Sequence, residues 1–231
     1  MRELKFPQSE SKRCLLEVAE RLFAERGFES VSIRDVTQLA KANVAAINYH
    51  FGSRDGLIAL VVTLSITPVN EERIVRLDTL EKKWSGKAVP LEEVIEAFVR
   101  PLLGAARKTG LSEPLFCRLL GWIFSMPLET MPQAMEDQIR NVSDRFTRAL
   151  AKSLPTVSAE DLAWRFHFMS GSMIHMLLHQ EMLHQLSNGV SGNPTMEAVF
   201  GRFIRFAAAG LREGVDPEPL AKKGPQAIFD F

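Results

Sequence analysis

Residues 32–53 read SIRDVTQLAKANVAAINYHFGS. Two short helical phrases flank a three-residue turn, Lys41-Ala42-Asn43. The first opens at Ser32 with Asp35 three residues on, a variant of the capping box, and sets Ile33, Val36 and Ala40 on one side. The second opens at Asn43, a favoured N-cap, and stops at Gly52. Winding residues 44–51 at about 100° per residue puts Val44, Ile47 and Phe51 on one side and Ala45, Ala46 and Tyr49 on the other. The first side is expected to pack inward. The second presents two methyl groups and a phenol to something outside. Small side chains let a helix backbone sink into a groove, and alanine methyls can touch thymine methyls. The pattern predicts a helix-turn-helix laid in the major groove of a DNA duplex. An ordinary helical hairpin inside an all-α domain would show the same spacing.

Around that face stand groups suited to phosphate. Tyr49 and His50 can donate, Asn48 can read adenine or meet a phosphate, and Asn43 and Val44 lie at the helix start. Ser53 and Arg54 open a fourth helix whose free backbone N–H groups form one phosphate clamp; Ser32 and Arg34 form a second.

The rest of the chain fits this reading. Its 231 residues allow one large domain or two small ones, and 46% apolar with 24% charged residues supports a sizeable core. Twenty-eight basic residues balance 28 acidic ones, which excludes a wholly basic coat protein and leaves DNA contact to a local patch. Cys14 and Cys117 stand far apart in apolar runs and read as small buried hydrophobes. The opening MRELKFPQSESKR has no signal-like apolar stretch, and runs such as LIALVV fall far short of the ~20 residues that span a bilayer. The expectation is a cytoplasmic protein with no membrane partner.

Period-3.6 patterning covers nearly the whole chain, so the fold class is all-α. A helix from about 11 to 26 carries Leu15, Val18, Ala19, Leu22 and Phe23 and ends at Gly27. After the two short helices, the fourth runs from Ser53 to a kink or break at Pro68. Longer helices follow near 91–108 (interrupted at Pro101), 113–126, 132–153, 159–187 and 195–213. Domains are expected at 1–55 (three helices, DNA-binding) and 56–213 (helical, effector-binding and dimer-forming), with an irregular tail at 214–231.

The stretch AERLFAERGFESVSIRDVTQLAKANVAAINYHFGSRDGLIALVV, residues 19–62, resembles the N-terminal domain of the TetR family of transcriptional regulators. The resemblance extends without gaps from about residue 12, on residues such as Phe23, Gly27, Ile33, Ala40, Ile47, Tyr49, Phe51, Gly52 and Leu57. It implies a homodimeric regulator, a repressor, bound to a palindromic double-stranded operator and released by a small ligand. Against the family's usual AGVSKGALYHHF, Lys41 replaces glycine, Asn43 serine and Val44 lysine, and Asn48 stands where tyrosine is usual. Shorter segments, RPLLGAA, FCRLLGWIFSMP, WRFHFMSGSM and AAAGLREG, resemble the PsrA-like branch, which implies a tubular apolar pocket for a long-chain fatty acid or its acyl-CoA ester. Lining candidates are Phe98, Leu102, Phe116, Leu119, Trp122, Ile123, Phe168 and Met173, each of which, taken singly, reads more readily as plain core. Arg118, inside an apolar run, would need an effector carboxylate, Glu113, Glu92 or an exposed position.

Residues 159–187 are apolar on two faces. Leu162, Phe166, Met169, Met173 and Met176 form one; Trp164, Phe168, Gly171, His175, Leu178 and Met182 form the other. A helix apolar on both faces must be covered on both, so the second is expected at a dimer interface with Phe200, Phe203, Ile204, Ala207 and Leu211 of the last helix. Two recognition helices related by a two-fold axis would read half-sites about one helical turn, ~34 Å, apart. His175 and His179 have an i,i+4 spacing that can hold a metal, but no third ligand accompanies them. No metal, cofactor or catalytic set is expected. Two rival functions are a helical lipid carrier or enzyme using the same apolar interior, and a regulator governed by a protein partner.

Overall fold

The computed structural model describes residues 8–106 and 109–213. The expected tail at 214–231 lies outside the described residues, as do the first seven residues and the last two of the helix expected at 91–108. Among the described residues the chain forms eleven α-helices and one 3-10 turn, with no strand. They are α1 (Gln8–Arg26), α2 (Ile33–Leu39), α3 (Val44–Phe51), α4 (Arg54–Lys83), α5 (Leu91–Val99), α6 (Pro101–Ala106), α7 (Glu113–Phe124), α8 (Gln133–Ser153), α9 (Ala159–Leu178), α10 (Gln180–Leu186) and α11 (Met196–Arg212). The 3-10 turn, Leu128–Thr130, precedes α8.

Short polar side chains set the helix starts. Ser32, Asn43, Ser53, Ser158 and Thr195 each accept a backbone N–H from the first turn they precede. Each such cap contributes ~1 kcal/mol by satisfying a donor that the helix cannot.

The small N-terminal bundle packs α1 against α2, α3 and α4. The larger part packs α4 against α5, α6 and α8, α7 against α9, and α11 against α5 and α9. One continuous apolar core joins them, from Leu15 and Ile47 at one end to Phe200 and Leu211 at the other. Burying side chains of this size contributes ~1.5–3 kcal/mol each. Exposed ion pairs, such as Arg212 with Glu92 at 2.5 Å, add little because solvent screens them.

Two expectations about helix ends are corrected. Pro68 does not break α4, which continues for 30 residues to Lys83. Buried Val61, Val62, Ser65 and Ile66 before the proline, and Val69, Asn70, Arg73 and Leu77 after it, hold the helix on both sides of the missing N–H. The helix expected over 159–187 is instead two. His179 leaves helical geometry at φ −124°, ψ 30°, ending α9 and starting α10. Leu178 turns onto Gly121 of α7, where a Cβ would sit 2.7 Å from its Cγ, and Glu181 of α10 pairs with Arg118 of α7 at 3.0 Å. These contacts draw the chain to α7 instead of letting it run on.

Candidate nucleic-acid interface

α3 turns a different face outward from the one its wheel suggests. Ile47 is fully buried, and Ala46, His50 and Phe51 are half-buried. Val44, Ala45, Asn48 and Tyr49 are exposed, Tyr49 by 68%. The expected inward position of Val44 is therefore wrong, and Ala46 leans on the core. The helix rotates because it packs against α1, α2 and α4 together. Sequence periodicity weighs residue types and cannot count neighbours. The outward strip remains small and apolar, with one amide and one phenol.

The helix starts beside this strip are neighbours. The Arg54 guanidinium donates from Nε to the carbonyl of Val31 at 3.2 Å and from Nη2 to the carbonyl of Phe28. Its sequence context suggests a phosphate clamp. Its donors instead tie the start of α4 to the loop before α2.

At α2 the capping box is closed. The Ser32 hydroxyl donates to Asp35 Oδ2 at 2.6 Å, the Ser32 N–H donates to the same oxygen at 2.8 Å, and the Asp35 N–H donates back to Ser32 Oγ at 3.2 Å. These bonds from Ser32 hold the Asp35 carboxyl below the usual carboxylate range. That carboxylate already faces the helix dipole, and Arg34 beside it is exposed. At α3, Asn43 Oδ1 accepts the Ala46 N–H at 2.9 Å, so its amide nitrogen points the remaining donors elsewhere. At α4, Ser53 Oγ accepts the Gly56 N–H at 3.0 Å and its hydroxyl proton can still be donated. Gly52, at φ +77°, closes α3 and turns the chain into Ser53.

The expected effector residues lie mostly in the core. Phe98, Leu102, Phe116, Leu119, Ile123 and Met173 are buried, and Phe98 packs edge-on against Phe146 and Phe166 at 5.1 and 5.6 Å. Phe168 is 63% exposed and faces away from any interior site. Trp122 covers the end of α1. A Cβ on Gly27, which has φ +78°, would stand 3.2 Å from the indole ring. Arg118 pairs with Glu181, not with Glu113 or Glu92; Glu92 is taken by Arg212. Two clefts of about 170 and 260 Å³ lie along α4, and none of the nine candidates lines either.

The dimer candidates divide. Trp164, Phe168, Gly171 and His175 form an exposed stripe along α9, with the Trp164 and Phe168 rings 5.9 Å apart. Met182 is exposed on α10. Phe200, Phe203, Ala207 and Leu211 are corrected: they are buried in the subunit's own core because α11 lies across α5 and α9. Ile204 and Leu178 are half-buried and lean the same way. A large apolar residue that α11 presents outward is Phe206, 67% exposed, which the sequence reading missed. The His175 and His179 rings lie 4.8 Å apart, and no set of three metal-ligating side chains gathers among the described residues. No described helix is long and apolar enough to cross a membrane. The Cys117 thiol is pushed up to about 12, chiefly by burial, which keeps it unreactive at neutral pH.

Sequence reading also missed Asn70 and Arg73, both buried in α4. The signal was present: Arg73 interrupts an otherwise apolar stripe of Val62, Ile66, Val69 and Leu77 at helical spacing.

Comparison with known proteins supplies the context. Residues 15–61 match the family model described as bacterial regulatory proteins, tetR family. Residues 96–210 match the model for the tetracyclin repressor-like C-terminal domain. Together the two take in well over half the chain. No curated protein matches the sequence. Among solved structures, the TetR family transcriptional regulator PfmR from Thermus thermophilus is similar at TM-score 0.53 and 18% identity, over 86% of this chain and 99% of that one. HlyIIR, a hemolysin II transcriptional regulator, is similar at TM-score 0.52 and 13% identity, over 90% of this chain and 100% of that one. At such identities the likeness speaks for the fold.

Proposed function

This chain belongs to the TetR family of DNA-binding transcriptional regulators, and on that premise we propose that it acts as a homodimeric repressor that leaves a palindromic operator when a small ligand enters its larger domain. The observation that carries this reading is the exposed strip Val44, Ala45, Asn48 and Tyr49, set beside two helix starts that Arg54 holds together. In the major groove, Ala45 and Val44 supply methyl contacts and Asn48 can take adenine in a bidentate pair. Tyr49, Ser53, Arg34 and the first amides of α4 fix the register on phosphate.

The exposed stripe on α9, with Phe206 of α11, is the surface we assign to the second subunit. Water-exposed aromatic residues lined up on two helices fit an isologous contact. One short helix reads too few bases for useful specificity; two at a fixed separation read an inverted repeat.

Ligand and DNA are coupled through two structures. α4 runs from the Ser53 clamp into the larger domain, and Trp122 of α7 rests on the end of α1 at Gly27. A ligand that moves α4 or α7 changes the separation of the recognition helices. DNA and ligand must then weaken each other by the same factor. The C-terminal resemblance favours an apolar acid, free or as its acyl-CoA ester. A second reading, control by a protein partner, has one observation in its favour: most of the residues expected to line a tunnel are packed as core.

Selection of the full chain on random duplex fragments, with and without dodecanoyl-CoA, tests the proposal. Enrichment of an inverted repeat that is lost with the ligand is expected. Enrichment of no sequence would contradict the operator reading, and enrichment indifferent to the ligand would leave the partner-controlled regulator as the better account.

A further inference from the structure

The interior of the larger domain holds a positive charge that no carboxylate among the described residues answers. Arg73 of α4 is 2% exposed. Its Nε donates to the Phe98 carbonyl at 2.8 Å and its Nη1 to Asn70 Oδ1 at 3.1 Å, while Nη2 has no partner. The Phe98 carbonyl is open to this donor because α5 ends at Val99 and leaves its last carbonyls without helical partners. The guanidinium lies over the Phe98 ring at 4.0 Å and within 5.5 Å of the Phe124 ring. Asn70 is buried with it, and its amide nitrogen Nδ2 also lacks a partner. One turn earlier, Gln138 of α8 donates to Thr67 Oγ1 at 3.3 Å and leaves its own Oε1 unsatisfied.

A buried guanidinium without a counter-ion is costly to keep. Burial alone pushes Arg73 down to about 9, still protonated at neutral pH. Arginine's planar fork matches a carboxylate and holds it by two parallel bonds. The Asn70 amide, hydrogen-bonded to the same guanidinium, offers a third donor. The aromatic rings around it suit an apolar body. A cleft of about 170 Å³ between α4 and α6, lined by Pro68, Glu72, Arg76, Pro101, Gly104 and Ala105, opens on the same stretch of α4; Asn70 and Arg73 do not line it but stand, respectively, two residues and one residue from its walls along the helix. Glu72 and Arg76 at its edge neutralise each other at 2.7 Å, so the charge that would draw an anion inward is the buried one.

We propose that Arg73 and Asn70 are the anchor for the carboxylate of an amphipathic organic acid that enters between α4 and α6. This inference rests on reading the larger domain as the effector domain, and it names the chemistry that the domain recognises. It also relocates the polar contact from Arg118, which Glu181 already engages, to α4, the helix that begins at the DNA clamp.

The test uses the full chain and three acids, benzoate, octanoate and dodecanoate, each paired with its neutral primary amide. Calorimetric titration is expected to show at least one acid binding about tenfold or more tightly than its amide, as charge-assisted bonds require. Arg73→Met should abolish that preference and Arg73→Lys should retain part of it. Arg73→Met is expected to fold, because an apolar side chain replaces a bare charge, and a melting curve checks this. Equal binding of acid and amide, binding of none of the six, or an undiminished preference in Arg73→Met would overturn the proposal. The same pairs are then added to the DNA complex. Acid binding without DNA release sustains the site and contradicts the effector reading of the domain. Release by acid and amide alike, unchanged by Arg73→Met, sustains the effector reading and overturns the site.

Discussion

Lys41 sits in the turn between α2 and α3 with φ +50°, in the left-handed region that costs an L-residue ~1–2 kcal/mol. Glycine is usual here in the family that the sequence resembles, and the backbone explains why. Lys41→Gly is expected to raise stability by about 1 kcal/mol without changing DNA affinity, measured by urea unfolding. Arg54 shows the limit of motif reading at this scale. Its place after an N-cap suggests a phosphate contact, yet its donors reach back to Phe28 and Val31. Sequence gives no sign of a contact that spans more than twenty residues. Arg54→Ala should lower stability by about 2 kcal/mol as well as weaken DNA binding, since two carbonyls lose a charged donor. A loss of DNA binding with no change in the unfolding midpoint would return Arg54 to a direct phosphate role. Arg73 was legible in principle as a charge inside an apolar stripe, but only the packed structure reveals that it is buried and that no carboxylate among the described residues pairs with it.

At the scale of the element, the starts of helices were readable and the ends less so. A start depends on one side chain and the turn it precedes, and Ser32, Asn43, Ser53 and Ser158 cap as their sequence context implies. An end depends on what packs around it. Pro68 is overridden by burial on both sides, and α9 stops at a histidine because α7 captures Leu178 and Glu181. The same dependence makes the contact of α1 with α7 worth testing. Gly27 ends α1 at φ +78°, against the face of Trp122. Gly27→Ala adds both left-handed strain and a methyl 3.2 Å from the indole, so it is expected to cost about 2 kcal/mol and to alter tryptophan fluorescence. An unfolding curve and emission spectrum like those of the parent protein would show that this junction is slack and carries no coupling between the domains.

For the molecule as a whole, the all-helical class was legible because it rests on period, and the helix-turn-helix because the resemblance to the TetR family decided between two readings of the same spacing. The face that α11 gives to solvent was not, because a helix with apolar residues around much of its girth does not announce which side its own subunit uses. Burial settles that Phe200, Phe203, Ala207 and Leu211 belong to the core, while Trp164, Phe168 and Phe206 are left outside. Phe168→Glu should leave the subunit folded, since the ring is 63% exposed, and convert a dimer to monomers by sedimentation. A parent protein that sediments as a monomer would remove the two-fold reading of the operator. The measurement closest to the central claim is fluorescence anisotropy of the full chain on its selected inverted repeat, parent against an Asn48→Ala, Tyr49→Ala double variant. Both side chains are exposed, so the melting temperature should move little. The variant is expected to lose affinity about tenfold or more and to discriminate less between the repeat and scrambled DNA, because a base contact and a positioning contact go together. Unchanged affinity and discrimination would contradict the assignment of α3 as the helix that reads the groove.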